Sequence, residues 1–255
     1  STVRQLLVDG ADPENVCVRE LLADLRIDPS RHLLKGGLRA HVMSEKALLD
    51  LETCAVLRGA VDNERDAKVD SVDGAADHQL VLKPARLRSF VGAANARRLF
   101  TLPAVFRRQA AAVAAEGGGN NSGTSANASM RATDEEQIPH EILVRRYSAD
   151  TRPWIAFHAD NAAVTVNVAL SADALHEGGR LVAVANDAVA TITRDEGEAT
   201  VHDARLLHAV SCMRGKQARY SLILFFYHAH LDEFHGLPRR STALPQPSAA
   251  LGWQP

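Results

Sequence analysis

Trp154-Ile155-Ala156-Phe157-His158-Ala159-Asp160 is the stretch on which the chain turns. In an extended strand alternate side chains point to one face. His158 and Asp160 therefore project together, and Ala159 turns away. Further on, Leu206-Leu207-His208 sets a second isolated histidine behind an apolar pair. Two histidines and one carboxylate make the facial triad of non-haem Fe(II) sites, which keeps positions open for other ligands. Arg219 then opens the segment Arg219-Tyr220-Ser221-Leu222-Ile223-Leu224-Phe225-Phe226. A guanidinium in so apolar a strand needs an anion, and its planar fork suits a carboxylate bidentately.

Around these residues the pattern is β. Segments 142–147, 154–158, 164–170, 180–184, 189–192, 199–201 and 220–227 are short and bounded by Gly, Asp, Asn or Pro. Such spacing favours a sandwich or barrel over a parallel α/β sheet. Strand parity puts Arg219 and Ser221 on one face and Tyr220, Leu222 and Leu224 on the other. Thr165 and Asn167 alternate in the same way with Val164, Val166 and Val168. A polar face on a mostly buried strand lines a cavity; for Thr165 and Asn167 the alternative is to face solvent.

Taken in order, these features resemble the Fe(II)/2-oxoglutarate-dependent oxygenases, most of all their prolyl 4-hydroxylase and procollagen-lysyl hydroxylase branch. The residues concerned are His158-Ala159-Asp160, Thr165-Val166-Asn167-Val168-Ala169-Leu170, Glu177-Gly178-Gly179-Arg180-Leu181, Gly197-Glu198-Ala199-Thr200-Val201, Leu207-His208 and Arg219-Tyr220-Ser221. The likeness covers about residues 140–230 well and 36–139 weakly. Any one motif arises by chance, but the ordered set is specific. One departure is Gly215-Lys216-Gln217-Ala218-Arg219, a turn slightly longer than the family's usual one.

The resemblance implies a mainly β double-stranded β-helix (a cupin-like jelly roll) with supporting helices. It implies Fe(II) on His158, Asp160 and His208, with 2-oxoglutarate and O2 as co-substrates and ascorbate admissible as a reductant. Arg219, with Ser221 and Tyr147, would hold the 5-carboxylate of 2-oxoglutarate, and Thr165 and Asn167 would line its pocket. The implied reaction hydroxylates a C–H bond, on a prolyl or lysyl residue of a polypeptide, and releases succinate and CO2.

Other assignments stay open. Among the eleven histidines, His202 lies too far before Arg219 for the family spacing, His176 sits in a turn, and His228 and His230 follow the arginine strand. The same chemistry on a free amino acid or small metabolite would need charges that Arg145, Arg146, Arg152 and Arg180 could supply. A non-catalytic cupin-like metal or ligand-binding domain is a further class, against which Arg219 with Ser221 argues. Residues 5–13 look like the end of an ankyrin repeat, yet nothing recurs at the required period of about 33 residues.

The 255 residues, 46% of them hydrophobic, suit one large domain with appendages. A net charge of −2 and a pI near 6.6 argue against a nucleic-acid partner. No apolar run is long enough to cross a bilayer, and a soluble, cytoplasmic chain is the expectation. Cys17, Cys54 and Cys212 are scattered and read as reduced, buried thiols.

The expected layout is a helical appendage over residues 1–35, the oxygenase domain over 36–235 and a tail over 236–255. Helical spacing marks 2–9, capped by Gly10, and 16–26. A strand is expected at 38–43 and then a helix capped by Ser44, with Leu48, Leu51 and Val56 on one face. Short strands follow at 67–72 and 79–82, then helices at 87–91 and 97–115, the second interrupted by Pro103. Residues 116–131, rich in Gly, Asn and Ser, read as a mobile loop.

Overall fold

The structure is a computed structural model that describes residues 1–27, 42–66, 74–116, 135–185 and 188–227. The strand expected at 67–72, the loop beyond residue 116, His228, His230 and the 236–255 tail lie outside the described residues.

Among the described residues ten strands form two sheets. They are β1 (Val42–Glu45), β2 (Gln79–Val81), β3 (Glu141–Tyr147), β4 (Ile155–His158), β5 (Val164–Ala169), β6 (Leu181–Ala185), β7 (Ala188–Ile192), β8 (Ala199–Asp203), β9 (Leu207–Val210) and β10 (Arg219–Phe226). The larger sheet has the order β1-β8-β5-β10-β3-β2, and the smaller β4-β9-β6-β7. From β3 onward the chain crosses between the sheets at almost every step; only β6 and β7 are consecutive neighbours in one sheet. All pairings are antiparallel. Winding an antiparallel ribbon to and fro in this way gives a double-stranded β-helix, as the family resemblance implies.

The larger sheet has two chemically different faces. Val164, Val166, Val168, Val201, Leu222, Leu224 and Phe226 are buried together against the helices α3 (Leu51–Asn63) and α4 (Pro84–Glu116). Burying each such side chain stabilises the fold by about 1.5–3 kcal/mol. One residue along each strand, Thr165, Asn167, Thr200, His202, Arg219 and Ser221 are equally buried but polar, and they face the smaller sheet. The period of two thus separates a core face from a site face within single strands.

The smaller sheet is covered on its outside by the chain's start. A short helix, α1 (Thr2–Arg4), runs into a π-helical turn, Gln5–Asp9, that ends at Gly10 in the left-handed conformation. After it comes α2 (Val18–Asp24). Leu6, Leu7, Leu21 and Leu22 pack there on Phe157, Val182, Val184, Leu207 and Ala209. Hydrogen bonds to backbone carbonyls secure the cover: Cys212 N donates to Leu7 O at 2.7 Å, and the side-chain Nη2 of Arg214 donates to Val8 O at 2.6 Å.

Several local expectations need correction. The helix expected from Ser44 begins at Leu51, because Asp50 caps it: Asp50 Oδ1 accepts from Thr53 N at 2.7 Å. Ser44 lies in β1 instead and donates to Glu198. The buried face of α3 is Cys54, Leu57 and Val61, while Leu51 and Val56 are exposed. In α4 the break falls at Gly92 (φ 78°, ψ 162°), and the helix runs on through Pro103. Cys17 is exposed, not buried, while Cys54 is buried, and all three cysteines are free. Among the described residues no helix is long and apolar enough to cross a membrane.

Candidate metal and anion site

His158 ends β4 and lies opposite His208 of β9 in the register of the smaller sheet, with ring centroids 4.3 Å apart. Asp160 follows two residues after His158. One ligand atom from each of His158, Asp160 and His208 lies within 4.8 Å of the others. Asp160 Oδ1 faces both rings, 3.5 Å from His158 Nε2 and 3.8 Å from His208 Nε2.

The hydrogen bonds fix which nitrogens are offered. His158 Nδ1 lies 2.8 Å from Ala156 O, and His208 Nδ1 lies 3.1 Å from Leu206 O. A carbonyl oxygen only accepts, so each Nδ1 carries the proton and each Nε2 keeps its lone pair. Backbone carbonyls that orient imidazoles in this way are what a metal site requires behind its ligands. Asp160 is oriented too: Thr165 Oγ1 donates to its Oδ2 at 2.6 Å. Oδ2 is thus held by the protein while Oδ1 turns to the histidines.

The protonation states match. Burial pushes the His208 imidazole down to about 3, against a weaker upward pull from Asp160. Burial would raise the Asp160 carboxyl, but His208, His158 and His202 outweigh it and hold the group well below the usual carboxylate range. A carboxylate beside a neutral, buried imidazole is the state in which a divalent cation binds without displacing protons. The donor set therefore fits a 2-His-1-carboxylate metal.

Further along the same inner face, Arg219 pairs with Tyr147 across β10 and β3 and is 1% exposed. Its guanidinium carbon lies 4.6 Å from the Tyr147 ring centroid. Arg219 Nε, Nη1 and Nη2 and Ser221 Oγ are buried without a hydrogen-bond partner. A buried cation with unpaired donors is costly unless an anion supplies the acceptors, so these residues fit a carboxylate. In Glu177-Gly178-Gly179, Gly178 lets the chain pass close to Cys212 and Gly179 leaves room beside Arg219. A Cβ on Gly178 would lie 1.9 Å from Cys212 O; one on Gly179 would lie 2.2 Å from Met213 Sδ and 3.3 Å from Arg219 Cδ.

Thr165 and Asn167 both face inward, with specific partners. Thr165 holds Asp160, and Asn167 Oδ1 accepts from Arg194 Nη1 at 2.9 Å. Lys216 is exposed, whereas Arg219 is buried. The arginines considered for binding a free amino acid are engaged elsewhere. Arg145 Nη2 and Arg152 Nε lie 3.2 and 3.3 Å from the buried Asp77, and Arg145 also bonds Gln79. Arg146 faces Asp62, and Arg180 donates to Asp173 O.

Sequence reasoning passed over four residues. His202, set aside as a ligand by its spacing, is 1% exposed in its side chain and sits 3.7 Å from Asp160 Oδ2. Its alternation with Ala199 and Val201 was the available signal, the same one that marked Thr165 and Asn167. Arg194, Asp173 and His176 form a buried group near Arg219, with His176 Nε2 3.5 Å from Asp173 Oδ1. They lie in loops and a 3-10 turn, where no periodicity marks them.

No family model matches the chain, and no curated protein matches it. Solved structures do. A prolyl-4-hydroxylase from Pseudomonas putida is 16% identical, over 74% of this chain and 94% of that one, with a TM-score of 0.45. A 2OG-Fe(II) oxygenase family oxidoreductase from Burkholderia pseudomallei is 14% identical, over 84% and 93%, with a TM-score of 0.46. The non-haem α-ketoglutarate-dependent epimerase SnoN of nogalamycin biosynthesis is 17% identical, over 74% and 79%, with a TM-score of 0.42. Likeness at this level leaves the chemistry to be argued from the site itself.

Proposed function

We propose that this chain is an Fe(II)- and 2-oxoglutarate-dependent oxygenase. One observation carries the proposal: a buried arginine with unpartnered donors shares an inner barrel face with the residues that brace a His-Asp-His group. A metal-binding module has no use for the arginine, and a plain anion site has no use for the triad. Together they match a ligand with a chelating end and a remote carboxylate.

In this assignment His158, Asp160 and His208 hold the metal, and Thr165 fixes the free oxygen of Asp160. Arg219 and Ser221 hold the far carboxylate, with the Tyr147 ring keeping the guanidinium in place. When bound, Fe(II) and 2-oxoglutarate supply oxygen activation, leaving one oxygen atom in succinate and one in the hydroxylated product. The protein's part is position and the exclusion of water.

For the substrate we favour a prolyl or lysyl residue within a polypeptide. A free amino acid needs charges for its own ammonium and carboxylate; Arg145 and Arg180 bond protein acceptors, and Arg152 and Arg146 already face the carboxylates of Asp77 and Asp62. The test has two stages. Incubation with Fe(II) and 2-oxoglutarate should yield succinate, and Arg219→Lys should raise the KM for 2-oxoglutarate far more than it changes metal affinity. Proline-rich and lysine-containing peptides, beside free proline and lysine, are then screened for a mass gain of one oxygen. No succinate under any condition overturns the oxygenase; a gain on free amino acids alone overturns the polypeptide substrate.

A further inference from the structure

Arg219 does not stand alone at its end of the barrel. Arg194, on the loop after β7, brings a second guanidinium into the same interior, with its side chain 1% exposed. Its Nη1 donates to Asn167 Oδ1 at 2.9 Å, and its Nε lies 3.8 Å from Asp173 Oδ2. Asp173 also accepts from Arg194 N at 2.9 Å, so the carboxylate anchors the backbone as well as the side chain. Geometry links the two arginines: a Cβ on Gly179 would lie 3.3 Å from Arg219 Cδ and 3.5 Å from His176 Nδ1, and His176 Nε2 lies 3.5 Å from Asp173 Oδ1. Burial, and then Arg219, lower the Arg194 guanidinium to about 10. Tyr147, which lies against Arg219, acts on Arg194 as well.

The hydrogen-bond inventory of the pair is incomplete. Arg194 Nε and Nη2, and Arg219 Nε, Nη1 and Nη2, are buried without hydrogen-bond acceptors. Against burial, His176, Arg194 and Arg219 hold the Asp173 carboxyl below the usual carboxylate range, and its Oδ1 is likewise buried without a hydrogen-bond partner. Glu198 is nearby, but its carboxylate is taken by Ser44 Oγ and Asp195 N. Two neighbouring buried guanidiniums repel each other, and one arginine would suffice for a single bidentate contact. A carboxylate, with about four lone-pair positions on two oxygens, accepts from two forks at once.

We propose that Arg194 is a second specificity-determining cation, which with Arg219 clamps the remote carboxylate of the co-substrate while Asp173 and Asn167 hold it in place. This rests on the 2-oxoglutarate assignment above and extends it to a residue outside the arginine strand. The clamp reads the far carboxylate only, so its removal discriminates between 2-oxo acids that carry that group and those that do not.

The test uses the full chain loaded with Mn(II) in place of iron. Calorimetric titrations compare 2-oxoglutarate with 2-oxobutyrate, which keeps the chelating end and lacks the far carboxylate. Arg194→Gln should weaken 2-oxoglutarate by about tenfold to a hundredfold, the range for hydrogen bonds to a charged group, and leave 2-oxobutyrate unchanged. Arg219→Gln should do the same, and the double variant should lose less than the product of the two, since both act on one group. Should Arg194→Gln not fold, Arg194→Lys keeps a charge for Asp173 and loses the fork, and the same selective weakening is expected of it.

Wild-type affinity for 2-oxoglutarate with equal weakening of both ligands in the Arg194 variants would make Arg194 structural and overturn the clamp. So would no weakening at all beside a deficient Arg219→Gln; the co-substrate assignment would survive either result. A wild-type chain that binds 2-oxoglutarate no better than 2-oxobutyrate would overturn both.

Discussion

Replacing Thr165 by valine removes one hydroxyl and nearly keeps the shape, at a position 2% exposed. The lost bond is the 2.6 Å donation to Asp160 Oδ2. A hydrogen bond to a charged group contributes about 1.5–3 kcal/mol, and Asp160 is itself largely buried, so the metal-free protein should lose stability in that range. Metal affinity responds differently, because the bond is present with and without metal and only its orienting effect separates the two states. Loss of a group that orients a ligand typically lowers affinity by about 10- to 100-fold. The hydroxyl also draws charge from the carboxylate, so its loss makes Oδ1 a somewhat stronger donor; the orienting effect is expected to win. Chelator-competition titrations with Mn(II), beside thermal melts, measure both quantities. Thr165→Ser, which keeps the hydroxyl, should recover most of each. Valine and wild-type proteins that bind metal and melt alike would refute the proposed support of Asp160.

Other expectations follow from single observations. Gly178→Ala should give little folded protein, since its Cβ would meet Cys212 O at 1.9 Å and its φ is +70°; soluble expression with a native circular dichroism spectrum would contradict this. Burial pushes the His208 imidazole from its ordinary 6.5 down to about 3, so the unfolded chain takes up its proton first. The metal-free protein should therefore lose stability as pH falls from 6.5 toward 3, and urea titrations at several pH values should show a weaker slope for His208→Gln. Burial pushes the Cys54 thiol up to about 12, whereas Cys17 is exposed. Alkylation at pH 8, followed by mass spectrometry, should label Cys17 first and Cys54 only on unfolding.

The site was legible where it follows strand parity. Thr165 and Asn167, and Arg219 and Ser221, each stand two residues apart in one strand, and a period of two needs only a short window to show itself; Asp160 lies just past β4, which ends at His158, and still meets the histidines. The strand β9 escaped notice because Leu207–Val210 is too short to display alternation, although its histidine stood out. The start of α3 was misplaced because Ser44 and Asp50 are both capping residues, and only the contact between Asp50 and Thr53 decides between them. Arg194 and Asp173 were invisible for a topological reason. Asp173 opens a 3-10 turn and Arg194 lies in a loop, and the two meet only once the strands between them have paired.

The division of labour between strand faces makes a last, opposed pair of variants informative. Leu224 is fully buried on the helix-covered face of β10, and Ser221 is fully buried on the inner face of the same strand. Leu224→Ala leaves a cavity in a packed core and should cost about 2–5 kcal/mol, with the 2-oxoglutarate affinity of the folded protein little changed. Ser221 Oγ has no hydrogen-bond partner, and an unsatisfied buried hydroxyl is itself a cost of about 1–3 kcal/mol. Ser221→Ala should therefore leave the ligand-free protein at least as stable as wild type, while 2-oxoglutarate binds less tightly. Stability comes from one face of the strand, and the other carries Arg219 and Ser221, whose buried polar atoms have no hydrogen-bond partner in the protein. Melting and calorimetry on the two variants separate these roles. A Ser221→Ala protein that melts well below wild type without ligand would mean that the hydroxyl serves the fold, and the inner face would lose its standing as a binding surface.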